Sequence, residues 1–238
     1  MRHGRSRAYT LRLGLAAAAL SAGPSLTAGC SSGAADSGGT GGNSVPTTTI
    51  AHPAATPLPG ESVCTVTEVT GIPEPDFNHI TPCTPLTYAT NPPSGGNHWP
   101  IWAAFEKYTV VVPREMTVHD LEHGAIVFSY RCADTCPDVV AALSTVFDGM
   151  ADPLCLSIPG SPPARVVLTP DPDLDTPIAA AAWGNTYTAT CIDIPSLRAF
   201  ANAHYGQGRE PLCTAGWDEQ AAPLCPSADG GDGGDSGG

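Results

Sequence analysis

Residues 114–130, REMTVHDLEHGAIVFSY, contain the pattern that decides the local fold. Pro113, immediately before them, suits the first turn of a helix, and Glu115 suits the positive end of the helix dipole. Gly124 is a typical helix terminator, and the apolar run that follows it predicts a buried strand. We therefore expect a short helix from Pro113 to about His123, followed by a central strand.

The same helix carries two histidines four residues apart, His119 and His123, with Glu122 between them. Side chains at this spacing share one helix face, so both imidazoles can bind one Zn or Cu ion. A third ligand must come from another segment, and we choose His98, because PPSGG at residues 92–96 predicts a tight loop that displays it. Met116 would be a soft additional ligand if the ion is copper. Glu122 is expected to orient an imidazole, cap a loop amide or act as a base.

Two other interpretations of these residues stay open. The first is a non-catalytic structural or interaction domain, in which the histidines and Glu122 form a hydrogen-bonded clamp between loops. The second is a zinc-dependent hydrolase, because residues 119–123 match the His-x-x-Glu-His pattern of inverted zinc peptidases. Gly124 argues against an enzyme of this kind, since those enzymes carry the motif inside a long helix. Ring nitrogens within about 4 Å of each other would indicate an ion, whereas a bond from every ring to a backbone carbonyl would indicate the clamp.

The first 29 residues are typical of an export signal. A basic start precedes an apolar run that is too short to span a bilayer. Cys30 then follows small residues in LTAGCSS, which resembles the lipobox of bacterial lipoproteins. The resemblance implies lipidation of Cys30 and a cell-envelope protein anchored in a membrane, with the outer membrane or cell surface favoured because Ser31 follows. The alternative is an ordinary secretory signal.

Composition divides the remaining chain into three parts. Residues 30–60 are rich in Gly, Ser, Thr and Pro and predict a disordered tether. Residues 61–226 are expected to form one folded domain, and the Gly/Asp-rich residues 227–238 a disordered tail. A formal net charge of −13 makes nucleic acid an unfavourable partner, because its phosphates would be repelled. The predicted partner is the membrane, through lipidated Cys30.

The chain has nine cysteines, and setting Cys30 aside leaves an even number. In an oxidising compartment this predicts four disulfides. The cysteines are Cys64, Cys83, Cys132, Cys136, Cys155, Cys191, Cys213 and Cys225. Neighbours such as Cys64 with Cys83 and Cys213 with Cys225 are our guess for the pairing. A metal or redox site at CADTC, residues 132–136, is disfavoured, because the spacing differs from that of thioredoxin-like motifs.

The rest of the folded part alternates strand and helix patterns. Residues 63–89 are Pro-rich and predict a loop-rich segment, in which His79 is expected to be a surface residue. Strands are expected over residues 108–113, 125–131 and 164–170, and a strand or hairpin over residues 176–192. Helices are expected over residues 136–150 and 194–206. This order predicts a single disulfide-stapled α+β domain, in which a small mixed or antiparallel sheet carries helices on one face.

Four stretches resemble domain-of-unknown-function family 3105, whose members are bacterial proteins that are typically exported or membrane-anchored. They are NPPSGGNHWPIWAAFEKY (91–108), VPREMTVHDLEHGAIVFSY (112–130), AAWG (181–184) and FANAHYGQGREP (200–211). The family usually shows Pro-Pro-Thr-Ser-Gly-x-His-Tyr-Pro and Val-His-Ser-Leu-Glu-His-Gly. The residues at motif positions are His98, His119, Glu122, His123 and Gly124, while Trp99 and Asp120 replace the tyrosine and the serine. The resemblance implies that His98 and the helix histidines belong to one signature, and it implies no known reaction.

Overall fold

The computed structural model describes residues 45–133 and 135–225 of the chain. The strands are β1 (Thr47–Ala51), β2 (Val66–Thr70), β3 (Ile126–Tyr130), β4 (Val166–Pro170), β5 (Ile178–Ala182) and β6 (Asn185–Ala189). The helices are α1 (Arg114–Glu122), α2 (Pro137–Phe147), α3 (Pro153–Leu156) and α4 (Ile194–His204). Within these ranges no helix is long and apolar enough to cross a membrane. The predicted signal, Cys30 and the C-terminal tail lie outside the described residues.

The six strands form one mixed sheet in the order β1-β2-β6-β5-β3-β4. Strands β3 and β4 are parallel, and every other neighbouring pair is antiparallel. A parallel pair needs a crossover connection, and the chain between β3 and β4 supplies it with α2 and α3. The predicted α+β class with a mixed sheet is confirmed.

The side chains of β3 alternate between two hydrophobic clusters, one on each face of the sheet. Ile126 and Phe128 belong to the cluster that also contains residues of α2 and α4. Val127 belongs to the other cluster, with Met116 and Leu121 of α1. Helices therefore cover both faces, whereas the sequence predicted one face. Periodicity identifies the buried side of each helix, but it does not say which face of the sheet that side covers.

The helix predicted from Pro113 to His123 is confirmed as α1. Pro113 is its N-cap residue and His123 its C-cap residue. Gly124 ends the helix with φ 80°, a conformation that residues with a Cβ rarely adopt. Strand β3 starts two residues later, so the quoted segment forms the helix and the buried strand that its pattern predicts.

Three local predictions are wrong. β1 lies inside residues 30–60, because Thr-Thr-Thr-Ile favours a strand and pairs antiparallel with β2. The folded part therefore starts before residue 61. β2 itself lies in the segment predicted to be loop-rich. The strand expected over residues 108–113 does not form, since Val112 donates its N–H to the side chain of Thr169 instead of to a neighbouring strand.

Four disulfides connect all eight cysteines of the described part, as predicted. They are Cys64–Cys191, Cys83–Cys225, Cys132–Cys136 and Cys155–Cys213. The two guessed pairs are wrong, because sheet pairing brings together cysteines that are distant in sequence. Cys64 precedes β2 and Cys191 follows β6, and these strands are antiparallel neighbours, so the two cysteines meet at the same end.

Candidate metal centre

Three histidines and one glutamate converge beside α1. One ring nitrogen each of His79, His98 and His119 and one carboxylate oxygen of Glu122 all lie within 4.8 Å of one another. We call these four residues the His3Glu cluster. His98, His119 and Glu122 are buried, whereas the side chain of His79 is 49% exposed. The cluster is therefore enclosed by the protein on most sides and open to solvent at His79.

Secondary structure and loop hydrogen bonds position these four side chains. His119 and Glu122 are three residues apart on α1, which places them on one side of the helix. The backbone of His98 accepts from Ile80 at 2.7 Å and donates to Asn78 at 3.1 Å. Asn78 and Ile80 flank His79, so these two bonds fix the loop that carries His79 against the loop that carries His98. The cluster thus joins one helix and two loops that are separated in sequence.

Backbone carbonyls hold three imidazoles through their Nδ1 atoms. The bonds run from His98 to Gly96, from His119 to Trp99 and from His123 to Glu210, at 2.8, 2.6 and 3.0 Å. A carbonyl oxygen can only accept a hydrogen bond, so each Nδ1 carries a proton. A neutral ring then presents Nε2 as a free lone pair. Histidines that bind metal ions are oriented in this way, with the second ring nitrogen bonded to a carbonyl or carboxylate.

The structure contains the geometry expected for a clamp and a looser form of the geometry expected for an ion. Every predicted histidine bonds a carbonyl, while the ring nitrogens of His98 and His119 converge with that of His79, not that of His123, to within 4.8 Å instead of the expected distance of about 4 Å. The two are compatible because different ring nitrogens are used. Nε2 of His98 lies 3.0 Å from Oε2 of Glu122, and Nε2 of His79 lies 3.8 Å from the same oxygen.

The contact between His98 and Glu122 needs an additional positive charge to be favourable. Nδ1 of His98 already donates to Gly96, and Nε2 faces a carboxylate oxygen that is itself an acceptor. The two atoms can bond only if one additional proton lies between them. A metal cation would replace this proton and contact both atoms at once.

Burial keeps the helix histidines in the state that binds metal. It lowers the pKa of His119 to about 3, and the bond to the carbonyl of Trp99 offsets only part of this effect. Burial also lowers the pKa of His123. Both rings are therefore neutral at pH 7, and metal binding requires neutral imidazole.

Two predicted ligands, His123 and Met116, are not part of the cluster. The ring of His123 lies beside that of His119, with centroids 4.6 Å apart, but its bond to Glu210 holds it against residues 206–210. Its Nε2 is buried and has no hydrogen-bond partner among the described residues. Met116 is fully buried in the hydrophobic cluster with Leu121, so it is a core residue.

The sequence did not identify His79 as a member of the site. Its ring centroid lies 5.0 Å from that of His98 and 4.9 Å from that of His119. It comes from a Pro-rich loop without periodicity, so no local pattern marks it. Only the long-range backbone pairing of His79 with His98 brings it to the helix. Glu122 also has a larger role than expected, because its carboxylate belongs to the converging set.

Comparison with known proteins gives a family but no reaction. The family model described as protein of unknown function (DUF3105) matches residues 79–220, which include the whole His3Glu cluster. No curated protein and no solved structure is significantly similar to the chain. The match covers more than half of the 238 residues and confirms the resemblance seen in the sequence motifs. The chain therefore belongs to the DUF3105 family of proteins of unknown function.

Proposed function

We propose that this domain binds one transition-metal ion, Zn(II) or Cu(II), through His79, His98, His119 and Glu122. The supporting observation is an excess of hydrogen-bond acceptors in a mostly buried place. Among the described residues, the Glu122 carboxylate has a hydrogen bond only with His98, whose Nε2 is itself an acceptor in the neutral ring. Buried acceptors without donors are costly, and a cation removes that cost.

The donor set favours a borderline ion. Imidazole and carboxylate ligands suit zinc and copper, and no thiolate is present in the described part, where all eight cysteines form disulfides. The ligand atoms around tetrahedral zinc lie about 3.3 Å apart, given Zn–N bonds of about 2.0–2.1 Å. The cluster must therefore contract from its present 4.8 Å. His79 can supply this movement, because it lies on a loop and is half-exposed.

The proposal describes a binding or handling module rather than an enzyme. Glu122 faces the same point as the imidazoles, so it is a ligand and not a free base beside the ion. α1 ends at Glu122, and the long helix of the inverted zinc peptidases is missing. The zinc-hydrolase alternative therefore gains no support from the site.

A structural clamp is the second candidate, and the three carbonyl bonds favour it. The bonds of His119 and His123 connect the end of α1 to the loop of Trp99 and to the segment of Glu210, and the bond of His98 to Gly96 lies within that loop. In that case the cluster would hold loops together without any ion. The clamp predicts that removing His98 weakens folding and leaves metal affinity unchanged.

Metal titration separates the two candidates. Calorimetry of the purified, metal-free protein with Zn(II) and Cu(II) should show one ion per chain. His98→Ala should weaken binding at least 100-fold, which is the upper end of what outer-sphere substitutions cost. His79→Ala should weaken it more than His123→Ala. The matched control is His52→Ala, because His52 is exposed and outside the cluster. Equal affinity of wild type and His98→Ala would reject the metal site.

We also propose that lipidated Cys30 holds this domain at the cell envelope. The lipobox-like LTAGCSS supports it, and so do the four disulfides, which form in oxidising compartments. Cys30→Ala should move the protein from the membrane fraction to the soluble exported fraction. Retention of the variant in the membrane fraction would contradict the anchor.

A further inference from the structure

The open side of the His3Glu cluster is bordered by a positive charge. The side chain of Arg209 is 43% exposed, and its Nε lies 3.9 Å from Oε1 of Glu122. The side chain of His79 is also exposed at this place. A ligand that reaches the ion from solvent therefore approaches beside Arg209.

The backbone holds Arg209 at this place. Its neighbour Glu210 donates its N–H to the backbone carbonyl of Glu122 at 2.9 Å and accepts from the ring of His123 at 3.0 Å. On the other side of Arg209, Gly208 packs closely on Gly124, and a Cβ on Gly208 would overlap the backbone of Gly124. The segment is thus docked on the end of α1. The guanidinium also stacks over the ring of Phe77, 3.4 Å from its centroid.

The guanidinium of Arg209 differs from those of Arg114 and Arg165 in its hydrogen bonds. Arg114 bonds the carboxylate of Asp171, and Arg165 bonds that of Asp152. Among the described residues, the guanidinium of Arg209 donates no hydrogen bond, because 3.9 Å to Glu122 is too long for one. A guanidinium with available N–H donors therefore borders the open side of the cluster.

The positive charge of Arg209 makes the His3Glu cluster less favourable for a metal ion that binds alone. A metal ion that binds Glu122 takes up the negative charge nearest to Arg209, and the two positive charges then repel each other. An anion between them would interact favourably with both. Carboxylate fits best, because its two oxygens match the guanidinium fork in a bidentate pair.

We propose that the ion binds together with a small carboxylate, which occupies the solvent-facing position of the ion and pairs with Arg209. This inference rests on the proposed function. The chain carries a net charge of −13, so without the ion the anion is repelled by the protein as a whole. The ion and the carboxylate therefore bind cooperatively, and each raises the affinity of the other by the same factor.

Acetate is the probe for this cooperativity. Zinc affinity of the purified protein is measured by calorimetry at constant ionic strength, with sodium acetate replacing sodium chloride. Replacing chloride by acetate should raise the zinc affinity of wild type about tenfold more than that of Arg209→Gln. This factor is in line with a hydrogen-bonded charge pair. Comparing variants in one buffer cancels the binding of acetate to free zinc. Acetamide, which is neutral, should give no gain.

A variant and a spectrum complete the test. Arg198→Gln is the matched control, because Arg198 is exposed on α4, and it should keep the full acetate effect. The visible bands of bound Co(II) should shift with acetate in wild type and not in Arg209→Gln. Equal acetate dependence in wild type and Arg209→Gln would overturn the carboxylate while leaving the metal site intact. Failure of zinc to bind in either salt would overturn both.

Discussion

Two buried polar networks meet at the C-terminal end of α1, and they differ in hydrogen-bond balance. In the first, the carboxylate of Asp152 accepts from the guanidinium of Arg165, the hydroxyl of Tyr205 and the N–H of Leu154. Arg165 also donates to the backbone carbonyl of His123, the residue that ends α1. One positive and one negative charge face each other here, so the network is complete without any ligand.

The second network, the His3Glu cluster, contains acceptors without matching donors. Nε2 of His98 and Oε2 of Glu122 face each other at 3.0 Å, and no lysine or arginine of the described part donates to them. Both networks touch the end of α1, and both are buried except that the second is open to solvent at His79. The balanced network serves the fold without a ligand, whereas the second lacks a donor between His98 and Glu122.

The largest effect should come from breaking the balanced network. Arg165→Met leaves the buried Asp152 carboxylate without its charge partner, and we expect a loss of about 3–5 kcal/mol in the free energy of unfolding. Urea unfolding with the disulfides intact measures it. Arg198→Met is the control on an exposed helix face and should stay within about 0.5 kcal/mol of wild type. Equal stability of the two variants would contradict a structural role for the ion pair.

A smaller loss in the free energy of unfolding is expected when only the hydroxyl of Tyr205 is removed. Tyr205 donates to Asp152 and accepts from the N–H of Arg165, at 2.8 and 2.9 Å. Tyr205→Phe leaves the N–H of Arg165 without its acceptor and removes one of the bonds to Asp152, so it should cost about 1–3 kcal/mol in the same urea assay. Zinc affinity should be unchanged, because the hydroxyl does not touch the cluster. A loss of zinc affinity without a loss of stability would reverse the roles assigned to the two networks.

Acid should reveal the imbalance of the cluster in metal-free protein. The folded-state pKa of His119 is lowered to about 3 by burial, below the unfolded value of about 6.5. Between these values the unfolded state binds more protons, so stability is full above about pH 6.5 and falls as the pH decreases. His119→Phe removes this dependence. As the pH decreases, the stability of the variant should fall less steeply than that of wild type, with a slope smaller by roughly 1 kcal/mol per pH unit. Parallel curves for the two proteins would contradict a neutral buried His119.

Asp152 has the same sign in this experiment but acts at lower pH. Burial by itself would raise its pKa, but hydrogen bonds from Tyr205, Leu154 and Arg165 together lower it. Its contribution is therefore present above the unfolded value of about 3.9 and is lost only as the pH falls through the lowered folded-state pKa. At pH values well above about 4, Asp152 therefore does not contribute to the difference between wild type and His119→Phe.

Local signals were sufficient to predict α1, β3, α2, β4 and α4, because caps, glycine and apolar spacing act within a few residues. The same signals selected His98 and His119, which lie in the His3Glu cluster, and gave Glu122 only a supporting role. They could not identify His79, since only long-range backbone pairing brings its loop to α1. The predicted disulfide pairs were wrong for the same reason, because the pairing follows strand order and not sequence distance.

β1 shows a different limit of sequence analysis. The segment around Thr47–Ala51 has the composition of a tether, and all five residues of the strand are exposed. Composition measures how much apolar surface can be buried, and β1 buries almost none. It forms because β2 offers a free edge with which its backbone can pair. The start of the domain therefore depends on a partner strand that the sequence did not reveal.

Anomalous diffraction from crystals of zinc-loaded protein tests the metal centre most directly. We predict one zinc peak within about 2.0–2.2 Å of ring nitrogens of His79, His98 and His119 and of a carboxylate oxygen of Glu122, with His123 outside bonding distance. A cluster without a zinc peak, or a peak bound by His123 in place of His79, would contradict the assignment.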